Sequence, residues 1–189
     1  MPKIVDRAAR QEEILDAAVK VFARKGFAAS RIEDVAAEAG IAKGSVYLYF
    51  ESRNALLAGV FDSYAGKAAG VLAELGSGSP LERLRRLITG AVAMLAAHPD
   101  HARVLLDVWA SNPPIDMAAV YREYRGAVAD LLSEAECAGE LRPGIGAGHA
   151  VVIVGAIEGC LVQALVDPEL PLRELAEPII QICVDGIRR

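Results

Sequence analysis

Apolar side chains recur at helical spacing along almost the whole chain. Within residues 10–25, four of them are spaced i, i+4, i+7 and i+8 and share one helical face: Ile14, Ala18, Val21 and Phe22. Similar patterns follow as far as the last residues, and no stretch shows the strict alternation typical of a strand. The pattern therefore predicts an all-α fold of about nine helices.

Short polar signals predict where these helices begin and end. Gly26 is expected to end the first helix, and Ser30 with Glu33 forms a predicted capping box for the second, which stops at Gly40. A third, very short helix is expected at about 42–49. Pro178 is expected to bend the last helix. The later helices are predicted at about 52–75, 80–97, 100–111, 115–138, 147–166 and 171–187.

The helix that begins after Ser52 is expected to link two domains. Residues 1–53 are predicted to form a small three-helix domain, and residues 54–189 a larger helical domain. The apolar fraction is 53%, but only 5% of residues are aromatic. Such a chain must bury a large aliphatic core, form a subunit interface, or enclose an apolar pocket.

Charge and composition weigh against several classes of function. The net charge is −5, although residues 1–53 hold nine basic and eight acidic side chains. An architectural DNA-binding protein would have a basic body, so DNA binding here must rest on local placement of charge. Three scattered histidines and no glycine-rich phosphate loop offer no catalytic set. We therefore expect neither an enzyme nor a cofactor.

The cysteines and the chain start favour a cytoplasmic protein. Cys137, Cys160 and Cys183 lack metal-binding or paired spacing, so we interpret them as buried free thiols, with a redox sensor as the alternative. The first residues, MPKIVDRAARQEE, are charged and unlike a secretory signal. Polar residues interrupt the apolar stretch 145–166, which therefore predicts a buried helix of a soluble protein, with no membrane partner.

The segment 32–50 has the pattern of a helix-turn-helix. Two short helices are joined at Gly40 by a turn too short for antiparallel packing, so they should cross steeply, with the second helix entering a DNA major groove. Val46 and Phe50 should face the core. Side chains suited to phosphate and base edges remain outward: Lys43, Gly44, Ser45, Tyr47 and Tyr49. The alternative is a buried corner in which the tyrosines only pack.

Two segments together resemble a known DNA-binding signature. ILDAAVKVFARKGF (14–27) and IEDVAAEAGIAKGSVYLYFESRNALL (32–57) are similar to the signature of the tetracycline-repressor (TetR) family. The resemblance implies that the five outward residues form the recognition helix and that Tyr47 contacts the phosphate backbone. It also implies that Arg53 clamps a phosphate and that Ser30 and Arg31 contact the flanking backbone.

Three positions depart from the usual family pattern. Ala42 replaces a common Ser or Thr, Arg53 a common Lys, and Asn54 a common Glu. The first change removes a helix cap, and the second keeps the charge but alters its geometry. The contacts at positions 42 and 53 are therefore left open.

The resemblance further implies a homodimer that reads a palindromic, double-stranded DNA operator. Helices at about 147–166 and 172–187 would form a four-helix bundle with the partner's pair. Small residues four apart, such as Gly155 and Gly159, would let the helices approach closely. The alternative is a helix central to the core of one protomer. The predicted interface residues are Gly155, Ala156, Gly159, Cys160, Gln163, Ile179, Ile182 and Cys183.

Pockets of the family lie among the middle helices, and the resemblance implies a repressor released from DNA by a small, hydrophobic or amphipathic effector. The helix after Ser52 would carry the change to the DNA-binding domain. His98 and His101 lack a third nearby ligand, so no metal is expected. Each pocket candidate has ordinary core packing as its alternative. The candidates are Tyr64, Met94, His98, His101, Leu105, Trp109, Met117, Tyr121 and Tyr124.

Overall fold

A computed structural model describes residues 6–110 and 116–189, except for the side chains of residues 109 and 110. Within these residues the chain forms nine α-helices. One isolated antiparallel β-bridge pairs Leu141 with Arg188. The predicted all-α fold is thus confirmed. The helices are α1 (Arg7–Lys25), α2 (Ile32–Glu38), α3 (Lys43–Tyr47), α4 (Arg53–Ala73), α5 (Pro80–Ala97), α6 (Pro99–Ala110), α7 (Met117–Cys137), α8 (Ala147–Val166) and α9 (Ala176–Cys183).

The chain divides into two compact units. The first unit comprises Met1–Gly66 and Asp100–Ile115, and the second comprises Lys67–Pro99 and Asp116–Arg189. Most of α6 thus belongs with the N-terminal helices, although it lies far from them in sequence. A functional boundary near residue 53 stays a prediction.

The first unit is built on a continuous apolar core. Phe22 of α1, Val35 of α2 and Val46 of α3 are almost fully buried, together with Leu56 of α4 and Val108 of α6. Burying side chains of this size contributes roughly 1.5–3 kcal/mol each, so this core fixes the short helices α2 and α3, which could not persist alone.

The second unit packs α5, α7, α8 and α9 against one another. Leu84 and Ile88 of α5, Leu132 of α7, Ile153 of α8 and Ile180 of α9 are buried there. A capping box begins α5, since the Ser79 hydroxyl and the Glu82 carboxylate each accept the other residue's backbone N–H. The cap stabilises the first turn of α5.

Two predicted details of the helices are wrong. The second helix is not capped by Ser30 and Glu33, because it begins at Ile32 and the Asp34 carboxylate accepts the N–H of Arg31 at 3.0 Å. The last predicted helix is broken into a 3-10 turn at 172–175, the short α9, and a second 3-10 turn at 185–187. Pro178 lies in the first turn of α9, where its missing N–H is not needed.

The helix α8 is less buried than the sequence predicts. Only 22% of its most apolar stretch is buried in the protomer, and four valines are exposed: Val151, Val152, Val162 and Val166. By length and composition it meets the requirement of a membrane-spanning helix, a test that core helices of soluble proteins also pass. Its exposed valines leave one apolar face without a partner in the protomer.

Candidate functional site

The helix α3 is held to the first unit by its buried side. Val46 is fully buried, and Phe50, in the turn after α3, is 5% exposed. Phe50 packs closely on α4 at Gly59, where an added Cβ would lie 2.8 Å from Phe50 Cε1. The absence of a side chain at Gly59 therefore allows the contact that fixes the end of α3.

The outward side of α3 carries the predicted DNA-contacting residues. Lys43, Gly44 and Tyr47 are exposed, whereas Ser45 and Tyr49 are half-buried. The space around Gly44 is open, because an added Cβ would meet no atom within 4 Å. The sequence pattern thus orients this helix correctly, and its exposed face can approach a groove closely.

A neighbouring carboxylate partly neutralises the charge of this face. Glu33 of α2 forms an ion pair with Lys43, at 2.7 Å between Oε1 and Nζ. The hydrogen bond from Lys43 lowers the pKa of Glu33, and the same bond raises the pKa of Lys43. Lys43 also lies 5.9 Å from the centre of the Tyr47 ring. Its ammonium group is charged and close to Tyr47, but shared with Glu33.

Tyr49 has a packing role that the sequence pattern does not reveal. Its ring packs against the apolar core of the first unit, and the guanidinium of Arg7 lies 5.6 Å from the ring centre. A cation over an aromatic face is attracted to it. Arg7, at the start of α1, is thus a basic residue beside Tyr49 that the sequence analysis missed.

The loop that joins α1 to α2 is fixed by Arg53. The guanidinium donates hydrogen bonds to the carbonyls of Ala28 (3.0 Å) and Ser30 (2.7 Å) and lies 4.4 Å from the centre of the Phe27 ring. An arginine has five N–H donors, so some remain for another acceptor. The phosphate contact at Arg53 stays a prediction, whereas its hold on the loop is a feature of the fold.

Ser30 and Arg31 differ in accessibility. Ser30 is fully buried, and its hydroxyl donates to the carbonyl of Phe27 at 2.8 Å. The predicted DNA contact of this side chain is therefore wrong, since a buried hydroxyl cannot reach a phosphate. Arg31 is exposed and remains available for the flanking backbone of DNA.

Asp107 of α6 holds the same loop from a second side. Its carboxylate accepts the N–H of Phe27 at 2.7 Å, and an added Cβ at Gly26 would lie in ordinary contact with it, 3.5 Å from Oδ1. Gly26 has φ +77°, a conformation that favours glycine. Because 80 positions separate Asp107 from Phe27, no spacing pattern in the sequence indicates this contact.

Three pocket candidates meet in the first unit. Tyr64 and His101 stack with ring centres 5.8 Å apart, and with Leu105 they line a cavity of about 10 Å³. This space holds about one water molecule. The Trp109 side chain lies outside the described residues.

The other five pocket candidates belong to the second unit: Met94, His98, Met117, Tyr121 and Tyr124. Tyr121 interacts with Glu158, a half-buried carboxylate of α8 that the sequence analysis did not assign to the pocket. Burial raises the pKa of Glu158, raises that of Tyr124, and raises that of Tyr121 to about 12. These groups form a polar cluster beside an apolar helix.

A larger cavity in the second unit was not predicted. It measures about 340 Å³ and is lined by the ends of α5 and α8 and by the segment that follows α8. Its size is within the range of small-molecule sites. Among its described lining residues none belongs to the predicted pocket, and Arg173 is the charged one. The apolar lining residues are Leu95, Ala96, Pro99, Leu161, Ala164, Leu165, Leu170, Pro171 and Leu172.

The predicted interface residues are unequally exposed. Gly155, Gly159, Gln163 and Ile182 are exposed, and Ile182 leaves 76% of its surface accessible. Ile179, by contrast, is 5% exposed, so it packs inside the protomer and is not available to a partner. The remaining candidates, Ala156, Cys160 and Cys183, are half-buried.

The three cysteines are less buried than the sequence predicts. All three are free thiols, but Cys137 is exposed, so the prediction that all are buried is wrong. Burial raises the pKa of Cys183, and the nearby Cys160 raises it further. A thiol with a raised pKa holds less of the reactive thiolate form.

Comparison with known proteins extends the pattern found in the first unit. Residues 14–60 match the sequence profile of the bacterial regulatory proteins of the tetR family. The chain is 35% identical over 101 residues to YerO of Bacillus subtilis, which is named as an HTH-type transcriptional regulator. The aligned region covers 51% of this chain and 35% of that protein. It is 26% identical over 182 residues to the fatty acid metabolism regulator protein of the same organism, covering 93% and 94% of the two chains.

A solved structure matches over nearly its whole length. The fatty acid degradation regulator FadR from Bacillus halodurans superposes with a TM-score of 0.84 and 25% identity, covering 94% of this chain and 99% of that one. The chain thus spans about a third of the length of YerO but almost all of both fatty-acid regulators. The similarity extends beyond the helix-turn-helix into the second unit.

Proposed function

Because the chain belongs to the TetR family of bacterial regulatory proteins, we propose that it is a transcriptional repressor that binds a palindromic operator as a homodimer. We further propose that it acts in the cytoplasm and has no enzymatic activity. The observation that carries this proposal is the recognition helix α3. Its buried side is fixed by Val46 and Phe50, while Lys43, Gly44 and Tyr47 face outward. A short helix with this face fits a DNA major groove.

The exposed apolar face of α8 supports the homodimer. Val152, Val162 and Val166 are 63%, 42% and 81% exposed, and Ile182 of α9 is also exposed. Exposed apolar side chains on a helix face are typical of a subunit interface, and a twofold axis makes such a face self-complementary. Gly155 and Gly159 on α8 permit close approach of a second helix. Two recognition helices related by such an axis would read a palindrome.

The effector is proposed to be a small, largely apolar molecule that binds in the second unit. The Tyr121–Glu158 cluster and the cavity of about 340 Å³ offer polar and apolar contacts there. Two relatives are named as regulators of fatty acid metabolism and degradation. Fatty acids and their thioesters are therefore the first compounds to test. An effector weakens DNA binding only if it prefers the unbound state of the dimer.

The test begins with selection of an operator from random duplexes by the purified full chain. Fluorescence anisotropy then compares the selected duplex with a scrambled one at several salt concentrations. We expect tight binding to the selected duplex alone, weakening steeply with salt because lysine and arginine replace phosphate counterions.

Variants of the recognition helix identify the binding surface. Lys43→Ala and Tyr47→Phe should weaken operator binding, whereas Lys67→Ala in the second unit should not. If no duplex is enriched and no DNA is bound at low salt, the proposed function is wrong. If both helix variants bind as well as the original protein, the function stands but the assigned surface is wrong.

A further inference from the structure

Leu48 is an exposed apolar side chain in the middle of a polar recognition segment. It directly follows α3, between Tyr47 and Tyr49, and leaves 72% of its surface accessible. Its backbone is still helical, with φ −70° and ψ −16°. The side chain lies outside the apolar core of the first unit, and a leucine has no hydrogen-bonding group with which to contact phosphate.

Helical geometry places Leu48 on the most outward line of the segment. It is two positions after the buried Val46, hence on the opposite side, and four positions after Gly44, hence on the same side. Side chains of a helix lean towards its N-terminus, so Leu48 leans over Gly44. Gly44 adds no side chain, and the space around it is open. A surface that approaches α3 at Gly44 therefore meets the Leu48 side chain.

The chemistry of the major groove leaves one partner for such a side chain. Each base edge there presents hydrogen-bond donors and acceptors, and thymine alone adds an apolar group, its C5-methyl. We infer that Leu48 is a specificity-determining residue, which reads one thymine in each half-site by packing on this methyl group. The inference rests on the proposed function, since it requires α3 to lie in the major groove.

Deoxyuridine provides the test, because it differs from thymidine only by the missing methyl group. In the selected operator, thymines are replaced by deoxyuridine one symmetric pair at a time, and the Kd is measured by anisotropy. At one pair of positions we expect the affinity of the original protein to fall about fourfold for each of the two methyl groups removed. This is the effect of leaving one methyl-sized apolar group unburied. Leu48→Ala should bind the thymine operator more weakly and show no preference for thymine at that pair.

Two controls protect the interpretation. Leu48→Met, which keeps an apolar side chain of similar size, should retain the thymine preference. Leu72→Ala removes a partly exposed leucine of α4 outside the segment and should change neither affinity nor preference. Thermal unfolding checks that each variant is folded, as expected for an exposed position.

Three outcomes would overturn the inference. The first is an operator that binds equally with thymine and uracil at every position. The second is a Leu48→Ala protein that keeps the full preference for thymine. The third is a Leu48→Ala protein whose oligomeric state changes in light scattering, which would assign the side chain to a protein contact. A chain that binds no duplex would instead refute the proposed function itself.

Discussion

At the scale of single residues, the charge that α3 presents to DNA depends on its neighbour Glu33. The ion pair of 2.7 Å holds the Lys43 ammonium close to a carboxylate that phosphates would repel. The lowered pKa of Glu33 keeps this carboxylate charged at neutral and mildly acidic pH. Binding DNA must therefore compete with the ion pair.

We predict that Glu33→Gln strengthens operator binding by about two- to fivefold at low salt, the range expected for an exposed ion pair. Titration by anisotropy measures the effect, and it should shrink as salt screens the charges. Glu12→Gln, which removes an exposed charge of α1 that does not face Lys43, serves as the control. An equal gain in both variants would show that only total charge matters.

Residue exposure could be predicted where helical periodicity alone decides it. Val46 and Phe50 are buried and Lys43, Gly44 and Tyr47 exposed, as their spacing indicates. Ser30 and Arg53 could not be assigned in this way. Ser30 belongs to the loop between α1 and α2, and Arg53 of α4 holds that loop. Both side chains act through hydrogen bonds to backbone carbonyls, and spacing carries no information about such contacts.

At the scale of elements, α4 supports the recognition helix through one close contact. An added Cβ at Gly59 would lie 2.8 Å from the ring of Phe50 and 3.0 Å from Leu15. Both side chains are buried and have little room to move. The rest of the helix offers a comparison, because Gly66 has open space around it.

We predict that Gly59→Ala lowers the free energy of unfolding by about 1–3 kcal/mol, the usual cost of overpacking, and weakens operator binding by displacing Phe50. Gly66→Ala on the same helix should instead raise it by about 0.5–1 kcal/mol. Urea unfolding measures both variants at one protein concentration. Equal stability of the two variants would contradict the close contact at Gly59.

The limits of sequence-based prediction also differ between elements. α8 was placed over Ala147–Val166 because its apolar run ends at polar and proline residues. The region of α9 was predicted as one kinked helix, but Pro178 occupies its first turn. A proline marks a helix boundary or a bend equally well, and only the packing of the preceding residues decides between them.

At the scale of the whole molecule, the exposed face of α8 should control assembly. We predict that Val152→Glu converts the proposed dimer to a monomer without unfolding the protomer, because the side chain is 63% exposed in the protomer. A charge buried in an apolar interface is costly unless it is paired. Analytical ultracentrifugation measures the mass, and the monomer should lose most of its operator affinity.

Leu72→Glu, a charge at a partly exposed position of α4, provides the matched control and should remain a dimer. A Val152→Glu protein that stays dimeric would move the interface to another surface. Which face of α8 lacks partners was not evident from its sequence, because valine and isoleucine occupy nearly all sides of it. Only the packing of α7 and α9 distinguishes the covered side from the exposed one.

Asp107 and Arg53 hold the loop between α1 and α2 by hydrogen bonds to its backbone atoms. Asp107 accepts the N–H of Phe27, and Arg53 donates to the carbonyls of Ala28 and Ser30. Ala28 and Ala29 are exposed, so they can be exchanged while the loop keeps its path. After a gene duplication, the two copies could therefore diverge at these positions and on the outer face of α3, acquiring separate target genes while inheriting the same scaffold.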